Sequence, residues 1–398
     1  DEVYSNPYNI VTVKADGLDI YKKRVGGPET FWINMPFRSR PFDAAQFKRL
    51  NIDSINAVYP KVKCVWQKQL AYPVHGPAAI ANQKVLFADQ SAHVYALDVS
   101  SGKELWKQSL NGSCTAAPKV EGERVFIGTS SGEMYALSLN DGRILWKRAL
   151  GGEIWTNAAV EKGVVYVQTS EFDFFALNAA DGKVIWKASH LKSATPTGNL
   201  TDVENLLVMV PLDKKLYALN KLNGEFVWRG ELNGGRSCPL ADPILSPTHS
   251  ERMFATPGRF VRIDLLTGKT LETDDKSDNL NTICFSADDQ IYYCRSKKGG
   301  IKANSLTNRQ KKAIWNVRLD TESNDEGSAP LLFDGGIIYF STATGYAGAV
   351  DAESGSLLWR YKAGNAFINT PALYFAGKKA KGMVLTGNEG KISFLSFP

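Results

Sequence analysis

The side chains best suited to chemistry in this chain are four histidines and five cysteines among 398 residues. Nucleophilic and metal-assisted catalysis need such groups at short, characteristic spacings, because several of them must reach one atom. His75, His93, His190 and His249 show no metal-ligand spacing, and neither a Gly-x-Ser-x-Gly motif nor a phosphate-binding glycine loop is present. The sequence therefore predicts no catalytic residue, no metal and no cofactor.

Two of the cysteines, Cys284 and Cys294, flank a predicted β-hairpin. They would lie near each other on adjacent strands, where a disulfide bridge is one interpretation and two buried free thiols are the other. The five cysteines show neither Cys-x-x-Cys spacing nor a cysteine–histidine zinc pattern. The cysteines therefore leave the redox compartment open.

Acidic residues are concentrated in two segments, which contain Asp274, Asp275, Asp278, Asp320, Glu322, Asp325 and Glu326. Neighbouring loops on one face would merge them into a negative sector on a chain whose net charge is +6. A solvated surface is the first interpretation. A docking patch for a basic partner and a weak Ca²⁺ site are the alternatives, although the spacing does not match an EF-hand. The positive charge is not clustered, which argues against a nucleic-acid partner.

A repeat of about 40 residues indicates which elements would position these side chains. Trp66, Trp106, Trp146 and Trp186 are each 40 residues apart. Four copies of the repeat have an aromatic residue followed by Ala-Leu, then a polar turn with Gly, then Trp. Alternating apolar residues between Gly, Asn and Asp turns predict four short antiparallel strands in each copy.

The repeat predicts an all-β fold, an eight-bladed β-propeller over residues 64–398. One copy lacks its Trp near Glu272, and the last copy lacks its fourth strand. The segment from Cys64 to Leu70 is a fourth strand without a preceding repeat, so it is predicted to close the last blade and to remove the free sheet edges. The repeat tryptophans are interpreted as packing residues between blades rather than as ligand platforms: Trp66, Trp106, Trp146, Trp186, Trp228, Trp315 and Trp359.

Residues 1–63 lie outside the repeat and form a separate N-terminal extension. Their many aromatic residues are more than a disordered tail would carry, so the extension is predicted to pack on the propeller or on a partner. No apolar run reaches the roughly 18 residues of a membrane span. Any membrane association is therefore expected to depend on a lipid anchor outside this chain.

The loops that lead into the first strand of each blade are expected to meet at one mouth of the central channel. They vary from copy to copy, as grafted binding functions do. The residues that would ring this channel-mouth face are His75, Trp155, Arg236, Phe367 and Asn369. A ligand or peptide funnel is one interpretation and a solvated channel mouth is the other.

The motif Ala-Leu-Asp/Asn-x-x-x-Gly-Lys-x-x-Trp resembles the repeat of the pyrroloquinoline-quinone-like β-propellers. That superfamily contains quinoprotein dehydrogenases and also the BamB family of non-enzymatic lipoproteins that assemble outer-membrane β-barrels. The dehydrogenases resemble one another in an adjacent Cys-Cys disulfide over the quinone, and no two cysteines of this chain are adjacent.

The resemblance to the BamB family implies a non-enzymatic scaffold that binds other envelope proteins through its propeller loops. It also implies a periplasmic or outer-membrane-associated location. A quinone-dependent dehydrogenase of unusual type and an extracytoplasmic sensor propeller are the alternatives.

Overall fold

The computed structural model describes residues 8–14, 17–23, 29–36, 51–189, 199–209, 215–231, 244–245, 248, 252–255, 260–274, 283–296, 299–307, 312–321 and 329–398. The chain divides into two compact units, Asp1–Asn51 and Ile52–Pro398. Residues 52–62, which precede the first repeat, therefore belong to the same unit as the propeller. The predicted packing of the N-terminal extension remains a prediction.

The N-terminal unit contains an antiparallel three-stranded sheet of β1 (Tyr8–Val13), β2 (Gly17–Lys23) and β3 (Glu29–Pro36). Asp19 is buried on this sheet, where the side-chain amide of Asn34 donates a hydrogen bond of 2.6 Å and Lys14 forms an ion pair. These two partners lower the pKa of the Asp19 carboxyl.

The second unit begins with helix α1 (Ile52–Asn56) and strand β4 (Lys63–Gln69). Blade 1 consists of β5 (Ala79–Ala81), β6 (Lys84–Ala88), β7 (His93–Asp98) and β8 (Glu104–Ser109), and blade 2 of β9 (Lys119–Glu121), β10 (Arg124–Gly128), β11 (Glu133–Ser138) and β12 (Ile144–Ala149). Blade 3 consists of β13 (Ala159–Glu161), β14 (Val164–Gln168), β15 (Phe174–Asn178) and β16 (Val184–Ala188), and blade 4 of β17 (Thr201–Val203), β18 (Leu206–Met209), β19 (Lys215–Asn220) and β20 (Phe226–Glu231).

The remaining strands follow in the same order of four per blade. Blades 5 to 7 have β21 (Ile244–Leu245), β22 (Arg252–Ala255), β23 (Phe260–Asp264), β24 (Thr270–Asp274); β25 (Ile283–Phe285), β26 (Ile291–Ser296), β27 (Gly300–Ser305), β28 (Trp315–Arg318); and β29 (Leu332–Asp334), β30 (Ile337–Ser341), β31 (Tyr346–Asp351), β32 (Leu357–Lys362). The chain ends in β33 (Ala372–Ala376), β34 (Lys379–Thr386) and β35 (Lys391–Ser396).

The last blade is closed by the strand that begins the unit. Its strand order is β33-β34-β35-β4, with Phe394 paired with Trp66. Within the described residues the unit has eight four-stranded antiparallel sheets. The predicted eight-bladed propeller, including its closure by the segment around Trp66, is confirmed.

The repeat motif joins each blade to the next through a tryptophan and a glycine. The indole N–H of Trp146 donates to the carbonyl of Ala179 in the following blade at 3.0 Å. A Cβ on Gly182 of that blade would lie 2.6 Å from the Trp146 ring, so the turn needs Gly for space as well as for its φ of +68°. Within its own sheet Trp146 lies opposite Ala136, whose small side chain leaves room for the ring.

The same interlock recurs around the described ring. Indole N–H groups donate to carbonyls of the next blade at 2.7–3.1 Å from Trp66, Trp106, Trp146, Trp186, Trp228 and Trp315. Trp359 packs instead on Phe397, with ring centroids 5.2 Å apart. All seven tryptophans thus lie at junctions between blades, with the ring buried or half-buried, as expected for packing residues.

Buried apolar side chains form a cluster at every junction between neighbouring blades. One cluster joins Val85 and Leu97 of blade 1 to Val384 and Phe394 of blade 8. This cluster closes the ring by burying apolar surface, which stabilises the fold by about 25 cal/mol per Å².

Helix α1 is fixed outside blade 7 by Asn56, which exchanges hydrogen bonds with the Lys362 backbone at 2.7 and 3.0 Å.

Candidate functional site

The predicted channel-mouth face consists of the segments that lead into the first strand of each blade. In four blades the carbonyl of such a segment accepts a hydrogen bond of 2.8–3.0 Å from the turn between the second and third strands, and these carbonyls belong to Pro73, Ser113, Glu153 and Phe367. The next residue in each case is apolar and buried: Val74, Cys114, Ile154 and Ile368. These buried side chains fix the backbone at the mouth.

This alignment places three of the predicted site residues at one position of the repeat. His75, Trp155 and Asn369 each follow the buried apolar residue, whereas Phe367 lies two positions earlier. His75 is half-buried, and Trp155 is 43% exposed. Arg236 lies outside the described residues. That these residues form one binding site remains a prediction.

Asn369 is buried and engaged in closing the ring. Its side-chain amide donates to the carbonyls of Val74 and Gly76 in blade 1, at 2.8 and 3.1 Å. It also approaches Thr386 Oγ1 at 3.0 Å, and Thr386 in turn donates to the Gly76 carbonyl. Because a buried amide without partners is costly, these bonds give Asn369 a structural role at the junction of blades 8 and 1.

Two further asparagines make comparable links that the sequence analysis did not single out. The side-chain oxygen of Asn157 accepts from the backbone N–H of Ala117 at 2.6 Å. The side-chain oxygen of Asn199 accepts from the N–H of Asn157 at 2.7 Å. The only signal in the sequence is an Asn near the start of a first strand, which is common in turns for other reasons.

Phe367 lines a shallow depression between blades 7 and 8 whose free volume of about 10 Å³ has room for about one water molecule. Glu389 and Lys391 form an ion pair of 3.3 Å at its side, and Lys391 also donates to the Ala363 carbonyl at 3.1 Å. The Glu389 carboxylate lies directly against Gly364, so a Cβ at this position would require the Glu389 side chain to move. The depression is therefore narrow, and its charged groups already have partners.

The predicted acidic sector can be described only in part. Asp275, Asp278, Glu322, Asp325 and Glu326 lie outside the described residues, and Asp274 is placed by the pairing of its backbone with Phe260. Asp320 is exposed, and its carboxylate lies 3.4 Å from Arg318 Nε. The Asp320 carbonyl accepts a hydrogen bond from Arg360 Nη1 at 2.5 Å. The described acidic side chain of the predicted sector is thus exposed and lies beside one arginine.

Cys284 and Cys294 are free thiols, the second of the two interpretations. Cys284 pairs with Tyr293, and Cys294 pairs with Ile283, so the two side chains point to opposite faces of the sheet. Cys284 packs at the junction of blades 6 and 7, and Cys294 at the junction of blades 5 and 6. Burial raises the pKa of Cys284, and it raises that of Cys114 to about 12, so neither thiol is set up as a nucleophile.

Within the described ranges, no three His, Cys, Asp or Glu side chains are grouped to hold a metal ion. Over the same ranges, no helix has the length and apolar character needed to cross a membrane.

The closed ring and its tryptophan-docked repeat define a pyrroloquinoline-quinone-like β-propeller. The family described as outer membrane protein assembly factor BamB matches residues 54–153, 147–279 and 297–394. The chain belongs to this family. A comparison with curated proteins found no match.

Solved structures of several kinds share the fold. BamB from Moraxella catarrhalis is 16% identical, with 84% of this chain and 100% of that chain covered and a TM-score of 0.66. A europium-containing methanol dehydrogenase is 12% identical over 88% and 95% of the two chains, with a TM-score of 0.68. Saccharomyces cerevisiae Sqt1 is 15% identical over 85% and 99%, with a TM-score of 0.69. These similarities establish the fold and leave the activity open.

Proposed function

We propose that the protein is a non-enzymatic scaffold of the cell envelope that binds other envelope proteins through its channel-mouth face. The observation that carries this proposal is the exposed ring of Trp155 on an immobilised backbone. The Trp155 carbonyl accepts from Thr115 Oγ1 at 3.1 Å, and Asn157, two residues on, is bonded to Asn199. Exposed aromatic side chains on rigid backbone are typical anchors of protein interfaces.

Membership in the BamB family supports an envelope location and protein partners. The repeat gives the blades a common framework, while the mouth loops differ between blades and supply different side chains at equivalent positions. His75, Thr115 and Trp155 show this variation at one such position.

Affinity capture from an envelope extract of the source organism tests the proposal. Wild type would be compared with Trp155→Ala and with Leu358→Ala, a matched control because Leu358 is 42% exposed on the outer strand of blade 7. We expect Trp155→Ala to lose specifically retained proteins and Leu358→Ala to keep them. Identical sets of captured proteins for all three would refute binding through this face.

A quinone-dependent dehydrogenase is the alternative, because a methanol dehydrogenase shares the fold as closely as BamB does. Neither the sequence nor the described residues offer the groups expected around the quinone and its metal. The adjacent cysteine pair is absent from the sequence, and no metal-ligand cluster occurs in the described part of the chain. Adding pyrroloquinoline quinone and Ca²⁺ and measuring dye reduction would test this alternative. Bound chromophore with turnover would replace the scaffold proposal.

A further inference from the structure

The turns between the third and fourth strands expose different residues in different blades. In each turn one residue accepts the hydrogen bond from the tryptophan of the preceding blade, and the next residue lies at the tip of the turn. In blades 1, 2, 3 and 7 that tip residue is small or polar: Ser100, Asn140, Ala180 and Glu353. In blades 4 and 5 it is Leu222, 79% exposed, and Leu266, 66% exposed. Two adjacent blades thus depart from the repeat in the same direction.

The turn of blade 4 also reverses the usual placement of polar and apolar residues. Lys221, before the exposed Leu222, is buried, whereas Val99 and Leu139 occupy the same position in blades 1 and 2. The Lys221 ammonium is held by Glu161 at 2.7 Å and by Asp202. A buried lysine beside an exposed leucine is the opposite of what folding alone favours. Leu222 is therefore exposed at a position where the repeat otherwise carries a small or polar residue.

Hydrogen bonds across the junctions place the two leucines beside other exposed apolar residues. The Lys221 carbonyl accepts from Trp186, so Leu222 lies next to the start of β16. The Leu265 carbonyl accepts from Trp228, so Leu266 lies next to the start of β20. We group them with the exposed residues that precede those tryptophans and call this set the rim patch: Val184, Ile185, Leu222, Phe226, Val227 and Leu266.

We propose that the rim patch is a self-association surface through which two copies of this chain pack about a two-fold axis. Six large exposed apolar side chains amount to on the order of 500 Å², which is near the upper end for a monomer. That area matches the apolar part of an interface that buries about 800 Å² on each partner. This inference is independent of the proposed function.

The charges beside the patch are of both signs, so they fit a second copy of this chain better than a partner that is uniformly positive or uniformly negative. Glu225 lies two residues before Val227 and Arg229 two residues after it, and both charged side chains are exposed. Glu225 already accepts a hydrogen bond of 2.7 Å from Asn223 Nδ2, so a contact across the axis would add to this bond or replace it. A two-fold axis through Val227 brings Glu225 of each copy towards Arg229 of the other. Opposite charges therefore meet on both sides of the axis, so the patch is complementary to itself.

Sedimentation equilibrium of the full chain over a wide concentration range tests this proposal. We expect wild type to dimerise reversibly. The pair Leu222→Asn and Leu266→Ser restores residue types that the repeat has in blades 2 and 1, and should weaken dimerisation about a hundredfold or more. Circular dichroism would verify the fold of this variant, whose changes are at exposed turn positions.

Control variants separate this patch from other exposed apolar residues. Leu105→Asn and Leu358→Asn alter residues that are 46% and 42% exposed on outer strands of blades 1 and 7, and should leave dimerisation unchanged. Glu225→Arg should weaken dimerisation, and adding Arg229→Glu should restore it. A wild type that stays monomeric at all concentrations, or a dimer that survives Leu222→Asn with Leu266→Ser, would overturn the proposal. Lack of rescue by the charge exchange would overturn the two-fold arrangement.

Discussion

Neighbouring blades are joined differently at two junctions, the one between blades 2 and 3 and the one between blades 5 and 6. At the first, Trp146 lies opposite Ala136 in its own sheet and packs on Gly182 of the next blade. At the second, the position of the tryptophan is taken by Glu272, which lies opposite Arg262. Arg262 and Glu272 form a loose ion pair of 3.9 Å. A buried interlock has been replaced by a half-exposed charge pair.

The difference shows that the tryptophan, its small partner in the sheet and the glycine of the next blade are lost together at this junction. In blade 6 the sequence that follows the third strand, from Ser305 to Lys311, contains no Gly. Where the tryptophan is missing, both its small partner in the sheet and its glycine in the next blade are missing too. The glycine is needed for space only when a ring lies against it, so loss of the ring removes the steric requirement.

Removing the ring from an interlocked junction should have the largest effect. Trp146→Ala leaves a cavity and an unpaired Ala179 carbonyl, and we expect it to cost about 3–5 kcal/mol of unfolding free energy. Glu272→Ala removes one partner of a loose, half-exposed ion pair and should cost less than about 1 kcal/mol. Urea unfolding followed by far-UV circular dichroism measures both. Similar losses for the two variants would contradict the comparison.

Adding a methyl group to the glycine should have the next largest effect. Gly182→Ala combines left-handed strain with a Cβ 2.6 Å from the Trp146 ring, and should cost about 3 kcal/mol. Gly163 of the same blade has a φ of +79° and no atom near its would-be Cβ, so Gly163→Ala should cost only about 1 kcal/mol.

A double-mutant cycle separates the two causes. In the Trp146→Ala background Gly182→Ala should cost no more than Gly163→Ala does, because the ring that excludes the methyl group is gone. An unchanged cost would mean that backbone strain alone sets the need for glycine.

The sequence predicts the fold well because the residues of the repeat are the ones that pack neighbouring blades together. The spacing of the tryptophans is enough to count the blades, and the isolated segment around Trp66 is enough to close the ring. The steric role of Gly182 could not be predicted, since a glycine in a polar turn is already explained by its φ. A disulfide between Cys284 and Cys294 would need a strand register one residue away from the observed one, and the sequence does not distinguish these two registers.

The candidate site was harder to predict because it lies where the repeat varies. Asn369 has the residue type of a binding group, but its burial and its bonds to blade 1 are set by contacts between segments that are far apart in sequence. The exposure of Leu222 depends on Lys221 taking the inner position, which in turn depends on Glu161 and Asp202. Such choices are made by tertiary contacts and leave no local pattern.

Restoring the repeat in blade 5 should have a smaller effect. Arg262→Ala with Glu272→Trp re-creates the small–large pair within the sheet, and we expect the double variant to be more stable than either single one by about 1 kcal/mol. The gain should stay well below the loss in Trp146→Ala, because blade 6 offers no glycine to receive the ring. Urea unfolding of the four proteins of this cycle measures the coupling. A gain as large as that loss would show that the glycine is dispensable.

The smallest expected effect concerns the charges at the interlocked junction of blades 3 and 4. Lys221, and to a lesser extent Lys162, lowers the pKa of Glu161 to about 2. A carboxyl whose pKa is lower in the folded state stabilises the fold above its unfolded pKa of about 4.5, and this contribution is lost as the pH falls towards 2. We therefore expect wild-type stability to drop over that window and Glu161→Gln to show a flatter profile.

Lys221→Met should flatten the profile too, whereas Lys162→Met should change it less, because Lys162 is 86% exposed. The drop should be modest because Glu161 is itself partly exposed. Urea midpoints measured from pH 6 down to pH 2 provide the test. A wild-type profile that matches Glu161→Gln would show that this ion pair does not stabilise the junction.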